Sequence, residues 1–232
     1  MRHIPNAITI LNLVSGFIAI ALILSQNLVA ACWMVAAAMV FDFSDGLASR
    51  LLNAYSDLGK ELDSIADVIS FGAVPGLIIY NLFTGAGHTE LNLPFLAISA
   101  LFPACAGLRL ARFNIDTEQT YSFRGLPTPA AALSVISIVL AQKYGTKDII
   151  NVFAESKVAL TIFTITVSVL MVSRLPMLAL KVKSFKLKGN EMKYLLFIIC
   201  VLFVLVFGIA GLTLVIPAYI ILSLAASLFN VI

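Results

Sequence analysis

Asp42-Phe43-Ser44-Asp45-Gly46-Leu47-Ala48-Ser49-Arg50, followed eight residues later by Gly59-Lys60-Glu61-Leu62-Asp63-Ser64-Ile65-Ala66-Asp67, is the stretch on which the reading of this chain turns. Of the twelve acidic residues in 232, six (Asp42, Asp45, Asp57, Glu61, Asp63 and Asp67) fall between positions 42 and 67. Long apolar runs flank the segment, and like charges crowded there repel one another and are costly to desolvate. A bound cation gives the crowding a physical reason. Asp42 and Asp45 are three apart and Asp63 and Asp67 four apart, so each pair projects from one face of its helix. The turn between Arg50 and Gly59 can bring the two faces together. Carboxylates are the hard oxygen ligands that magnesium or manganese takes, and four of them can hold two ions about 3.5–4 Å apart. Gly46 and Gly59 let a ligand approach the backbone, and Arg50 supplies a fixed cation for a phosphate. The alternative is a solvated loop between spans, a description that suits Asp57 and Glu61, which match neither face.

Composition sets the surroundings. The chain is 61% hydrophobic and 12% charged, with a mean hydropathy of +1.04. That leaves too little polar surface to cover a soluble globule, so the expectation is an all-α integral membrane protein. Cys32, Cys105 and Cys200 stand singly in apolar runs, which argues against disulfides and a zinc site. His3 and His88 are far from the aspartates in sequence, Trp33 and the phenylalanines read as packing or lipid-facing groups, and nothing points to nucleic acid. About eight transmembrane helices are expected, at roughly 7–25, 29–52, 62–82, 94–113, 127–142, 157–176, 193–209 and 212–230, within a single domain over 1–232. The fifth run is short for a crossing. The last two helices, 193–230, read as peripheral and as either two crossings or one re-entrant hairpin.

Orientation follows from the fifteen basic residues. With the N-terminus in the cytoplasm, Arg2, Arg50, Lys60, Arg109, Arg112, Arg124, Arg174, Lys181, Lys183, Lys186, Lys188 and Lys193 lie inside, and Lys143, Lys147 and Lys157 outside. The positive-inside rule rewards that split, and it puts the aspartates at the cytoplasmic membrane face. The lysine run from 181 to 193 suits anionic lipid headgroups.

Asp42, then Asp45-Gly46-x2-Ser49-Arg50-x8-Gly59-x3-Asp63-x3-Asp67, resembles the signature of the CDP-alcohol phosphatidyltransferases, with Ser49 where alanine is usual. A serine is small enough to keep the same packing. The resemblance implies attack of an alcohol hydroxyl on the lipid-linked phosphate of a CDP-activated lipid, with CMP leaving. Asp42, Asp45, Asp63 and Asp67 would then hold Mg2+ or Mn2+, two ions in all, and Asp67 would also be the general base. Gly46, Arg50, Ser56 and Gly59 would line the CDP-lipid pocket. Asn6 and Thr9 either reach that pocket or cap the first helix. A homodimer is also implied.

Three further blocks are similar to the membrane-embedded phosphatidylserine synthases: Pro5 to Asn12, Gly59 to Pro75, and Arg109-Leu110-Ala111-Arg112-Phe113-Asn114 leading to Phe123-Arg124 and Pro127-Thr128-Pro129. They imply CDP-diacylglycerol, or an archaeol-type CDP-lipid, as donor and L-serine as acceptor. Arg109, Arg112 and Arg124 are then candidates for binding the serine carboxylate in a bidentate manner, or else simple anchors at span ends. Glycerol phosphate and inositol phosphate are the competing acceptors. An intramembrane prenyltransferase would show a second acidic cluster several spans away, and a transporter would carry charges near the middle of its spans. The later spans have neither feature.

Overall fold

The computed structural model describes residues 3–85, 91–115, 123–145, 148–178 and 190–228, and it is helical apart from one two-residue strand pair. His88, Arg2 and most of the lysine run at 181–193 lie outside the described residues. α1 (His3–Leu24) and α2 (Leu28–Leu51) form an antiparallel hairpin. It turns at Gln26, with φ 63, and the Asn27 side chain caps α2 by accepting from Ala30 N at 3.2 Å. With 22 residues, α1 is about 33 Å long, a match to the hydrocarbon thickness of a bilayer.

The third span, Asp57–Thr84, is not a uniform helix. α3 (Asp57–Asp67) runs into a π-helical segment, Val68–Ala73, and then into α4 (Val74–Thr84). Pro75 explains the change in winding, because it has no amide to donate to Phe71 and its ring crowds the preceding turn. Val74 N accordingly bonds to Ile69 O, five residues back. Next comes α5 (Leu93–Ile115), which packs against the π segment and α4. Small residues bring these helices together: a Cβ at Gly76 would meet Pro103 Cδ at 2.9 Å, and one at Gly72 would meet Ala106 Cβ at 3.2 Å.

α6 (Thr128–Tyr144) is the buried centre, with every residue from Ser134 to Ala141 inside. At 17 residues, about 26 Å, it is short for a crossing, as its sequence suggests. α7 (Asp148–Glu155) is a short helix where the sequence reads as a loop, and it meets α8 (Lys157–Val172) at 84°. β1 (Phe123–Arg124) pairs antiparallel with β2 (Pro176–Met177), which joins the loop before α6 to the strap after α8. α9 (Glu191–Phe207) and α10 (Leu212–Leu228) are separated by a 3-10 turn, Gly208–Gly211, which Gly208 enters at φ 60. Among the described residues, five helical runs are long and apolar enough to cross a membrane, or six with the bent α7–α8 pair. Exposed Phe17, Leu24, Phe197 and Leu205, each at 67–76%, lie on these helices and are surface suited to lipid.

The Gly76 contact generates a prediction. Gly76→Val should drive its side chain into Pro103 and destabilise the protein by about 1–3 kcal/mol through overpacking. The measurement is the thermal unfolding midpoint in detergent. An unchanged midpoint would show that α4 and α5 can separate without cost.

Candidate active site

Two helices deliver the carboxylates. α2 stops at Leu51, where Leu52 N closes back on Ala48 O and Arg50 O, and Asn53 turns the chain with φ 47. Ser56 starts α3 by accepting from Gly59 N at 3.0 Å. This turn brings one carboxylate oxygen from each of Asp42, Asp63 and Asp67 within 4.8 Å of the other two. Asp45, a turn further along α2, accepts from Thr9 Oγ1 at 2.6 Å.

α1 supplies a stripe of neutral polar groups to the same place. Asn6, Thr9, Asn12 and Ser15 recur every three residues along a largely apolar helix. Thr9 and Asn12 are buried, and Asn12 Nδ2 donates to Asp67 Oδ1 at 3.3 Å. Asn12 O in turn accepts from Ser70 Oγ at 3.0 Å. Asn6 Oδ1 lies where a Cβ on Gly59 would come within 2.9 Å, so Gly59 is what admits Asn6 to the α3 turn. Thr9 sits in the second turn of α1, too deep to cap it, and its hydroxyl is shared between Asp45 and Pro5 O.

The cluster fits a divalent cation on chemical grounds. Its donors are oxygens, the neighbours that bond to Asp45 and Asp67 are neutral, and Asp63 Oδ1 is buried without a hydrogen-bond partner among the described residues. A hard cation supplies what these oxygens lack. Nearby, Arg50 folds over Gly46, with Nε donating to Gly46 O at 2.8 Å. Apart from Arg50 Nη2 at 3.9 Å, nothing stands within 4 Å of a Cβ position at Gly46, so the backbone there is open.

The three candidate acceptor arginines differ in their surroundings. Arg109 on α5 is half-buried, and its buried Nε has no hydrogen-bond partner among the described residues. Arg112, one turn on, is engaged: its Nη1 donates to Val172 O at the end of α8, at 3.1 Å. Arg124 contributes its backbone to the β1–β2 pair, and its side chain lies outside the described portion.

Other contacts carried no assigned role in the sequence. Asn12 and Ser70 brace Asp67, and the three-residue polar periodicity along α1 was the signal for Asn12. Lys60 Nζ donates to Asn114 O at 2.7 Å, and Asn114 Nδ2 donates to Ser64 Oγ at 2.8 Å. These two bonds tie the carboxylate helix α3 to the end of the arginine helix α5. No local pattern announces that pairing.

A membrane-embedded helical protein with clustered carboxylates between its second and third long helices defines a class, and comparison with known proteins identifies it. A profile described as CDP-alcohol phosphatidyltransferase matches residues 2–172. The chain belongs to that family. It is 35% identical over 228 residues to CDP-diacylglycerol–serine O-phosphatidyltransferase of Helicobacter pylori, covering 97% of this chain and 91% of the relative. The protein of the same name from Bacillus subtilis is 36% identical over 177 residues, 75% of this chain and 89% of the relative. Archaetidylserine synthase of Methanothermobacter thermautotrophicus is 33% identical over 172 residues, 73% and 67% of the respective chains.

The Thr9–Asp45 bond can be tested without altering a carboxylate. Thr9→Val keeps the side-chain shape and removes the donor, so Mn2+ affinity should fall by about tenfold, in the range typical of groups that orient ligands. Titration of purified protein followed by electron paramagnetic resonance measures it. Unaltered affinity would remove Asp45 from the metal-holding set.

Proposed function

We propose that this protein transfers the phosphatidyl group of CDP-diacylglycerol, or of an archaeol-type CDP-lipid, to the hydroxyl of L-serine, releasing CMP. The donor and acceptor are those that the names of its relatives carry. The observation that carries the reading to this chain is the presence of an oxygen cluster, Asp42, Asp63 and Asp67, together with a half-buried arginine, Arg109, whose buried Nε has no hydrogen-bond partner among the described residues.

The roles below are those that the family resemblance implies, and the positions of these residues suit them. Asp42, Asp45, Asp63 and Asp67 would hold Mg2+ or Mn2+, which would supply positive charge against the diphosphate and departing CMP. Arg50, above the open backbone at Gly46, meets a phosphate of the CDP group, with Asn6, Thr9, Ser56 and Gly59 bordering the same pocket. Arg109 holds the serine carboxylate and so orients the amino acid, with Arg112 bracing the end of α8. The serine hydroxyl oxygen attacks the lipid-linked phosphorus, its proton passes to Asp67, and the bond from that phosphorus to the CMP oxygen breaks.

The same reading sets the surroundings of the site. The N-terminus and the site face the cytoplasm, as the distribution of basic residues favours. The bonds of Lys60 to Asn114 and of Arg112 to Val172 are consistent with this, since they gather the start of α3 and the ends of α5 and α8 at one end of the molecule. The chain crosses the membrane about eight times and works as a homodimer.

Purified protein given CDP-diacylglycerol with L-serine, inositol phosphate or glycerol phosphate should yield phosphatidylserine and CMP with serine alone, and nothing in EDTA. Product from inositol phosphate but not from serine would leave only the reaction class standing. Asp67→Asn should lose at least about a hundredfold in turnover while CDP-lipid still binds. Arg109→Ala should raise the KM for serine by roughly ten- to a hundredfold with the KM for CDP-lipid unchanged. An unaltered serine KM would move the carboxylate pocket elsewhere.

A further inference from the structure

Asp67 has two tasks in the reading above, to hold a cation and to take up the proton of the acceptor hydroxyl. The tasks call on different oxygens of one carboxylate. The aspartate does not separate them by itself, because rotation about its Cβ–Cγ bond is broad and two-fold, and a carboxylate can bind a cation through one oxygen or both. A carboxylate free to swing could give both oxygens to the cation and neither to the hydroxyl.

α1 supplies the missing constraint. Asn12 is fully buried, and its Nδ2 donates to Asp67 Oδ1 at 3.3 Å. An ionised carboxylate only accepts, so the nitrogen end of the amide is the end that faces Asp67. The other end, Asn12 Oδ1, is buried with no hydrogen-bond partner among the described residues. Buried side-chain amides ordinarily satisfy both ends. This one gives its donor to Asp67 and leaves its own acceptor bare, so its placement answers to the carboxylate rather than to its own needs.

Asn12 is also held from behind. Ser70, three residues beyond Asp67 on the same span, donates its hydroxyl to Asn12 O at 3.0 Å. A path from Asp67 through the Asn12 side chain, the Asn12 carbonyl and the Ser70 hydroxyl returns to the span that carries Asp67, and two hydrogen bonds close it across the face between α1 and that span. Gly16, one turn beyond Asn12, makes the closure possible. A Cβ there would run into Ser70 Oγ and come within 3.1 Å of Ser70 Cα and 3.2 Å of Ile69 Cγ2. The amide can neither slide along the span nor turn away from it.

We propose that Asn12 is a positioning residue for the proton acceptor: clasped by Ser70, it occupies Oδ1 of Asp67 and fixes the carboxylate plane, so that Oδ2 stays open to the acceptor hydroxyl. The inference rests on the assignment of Asp67 as general base. A neutral amide suits the task, since it orients the carboxylate without bringing a charge that would compete with a cation.

The test separates turnover from binding in the intact protein. Asn12→Leu keeps the branched shape and removes the donor. It should lower kcat by about ten- to a hundredfold, the range typical of groups that orient a functional side chain, while the KM for serine, the KM for CDP-lipid and the Mn2+ affinity read by electron paramagnetic resonance stay within about threefold. A merely structural role would weaken Mn2+ binding along with turnover, because Asp63 shares α3 with Asp67. Ser70→Ala leaves the amide in place but unclasped, and should lower kcat by about two- to fivefold, with no further loss in the Asn12→Leu background, since it acts through Asn12. An Asn12→Leu enzyme with wild-type kcat overturns the inference, and so does a fall in Mn2+ affinity as large as the fall in kcat, or a Ser70→Ala effect that persists undiminished without Asn12. If Asn12→Leu does not fold, Ser70→Ala decides, and an unchanged kcat there overturns the inference. If Asp67→Asn keeps wild-type turnover, the base assignment fails and this inference fails with it. If Asp67→Asn loses turnover and Asn12→Leu does not, only the inference falls.

Discussion

Mutual repulsion among carboxylates is the constraint around which this molecule is arranged. Oxygens of Asp42, Asp63 and Asp67 lie within 4.8 Å of one another. At an effective dielectric near 20, two unit charges at that separation repel by about 3–4 kcal/mol, against a typical net stability of about 5–15 kcal/mol for a folded protein. A fold that brings three such groups together, with Asp45 beside them, is held against that force by contacts elsewhere. It keeps the groups ionisable and oriented, but not satisfied. α1 meets the requirement with neutral groups: Thr9 and Asn12 each give the cluster a hydrogen bond and add no charge. Lysines in their place would neutralise the site and close it to a metal.

Close helix packing is what enforces the arrangement. Gly16 lets α1 lie against Ser70 and Ile69, where a side chain would collide with Ser70 Oγ. Ser70 is the residue that secures the Asn12 backbone, and it belongs to the π segment that begins immediately after Asp67. The wider turns of a π segment change the phase of the helix. Residues before it point to the α1–α2 side, and Gly72 and Gly76 within and after it point to α5. One span thereby serves two surfaces, one lined with carboxylates and one closed tightly against the arginine helix.

Much of this is visible in the sequence, for identifiable reasons. The carboxylate pairs could be read because helical spacing is local, and the first four spans because each is a long apolar run bounded by polar turns. Ser56, read only as a pocket residue, turns out also to cap α3 through Gly59 N. What escapes is whatever depends on partners distant in sequence. Nothing near Arg109 and Arg112 reveals that Val172 occupies one of them and leaves Nε of the other bare. The π segment was implied by Pro75 only once a continuous span was known to pass through it, and α7 was hidden within a polar-looking connection. Nor does an apolar helix bearing Tyr219 and Ser223 announce that both hold a strap 41 and 45 residues away.

The placement of Arg109 relative to Asp67 shows what the packing achieves. Opposite charges in a shared low-dielectric cavity attract strongly, and a direct ion pair would satisfy both and leave neither for a substrate. Here they sit on different helices, and among the described residues Asp67 Oδ1 accepts from Asn12 while Arg109 Nε has no hydrogen-bond partner. The Lys60–Asn114–Ser64 bonds fix α3 against α5, and the Pro103 contacts fix α5 against α4, so neither helix can slide to close the gap. The packing therefore holds Asp67 and Arg109 on separate, braced helices and limits how far either can move toward the other.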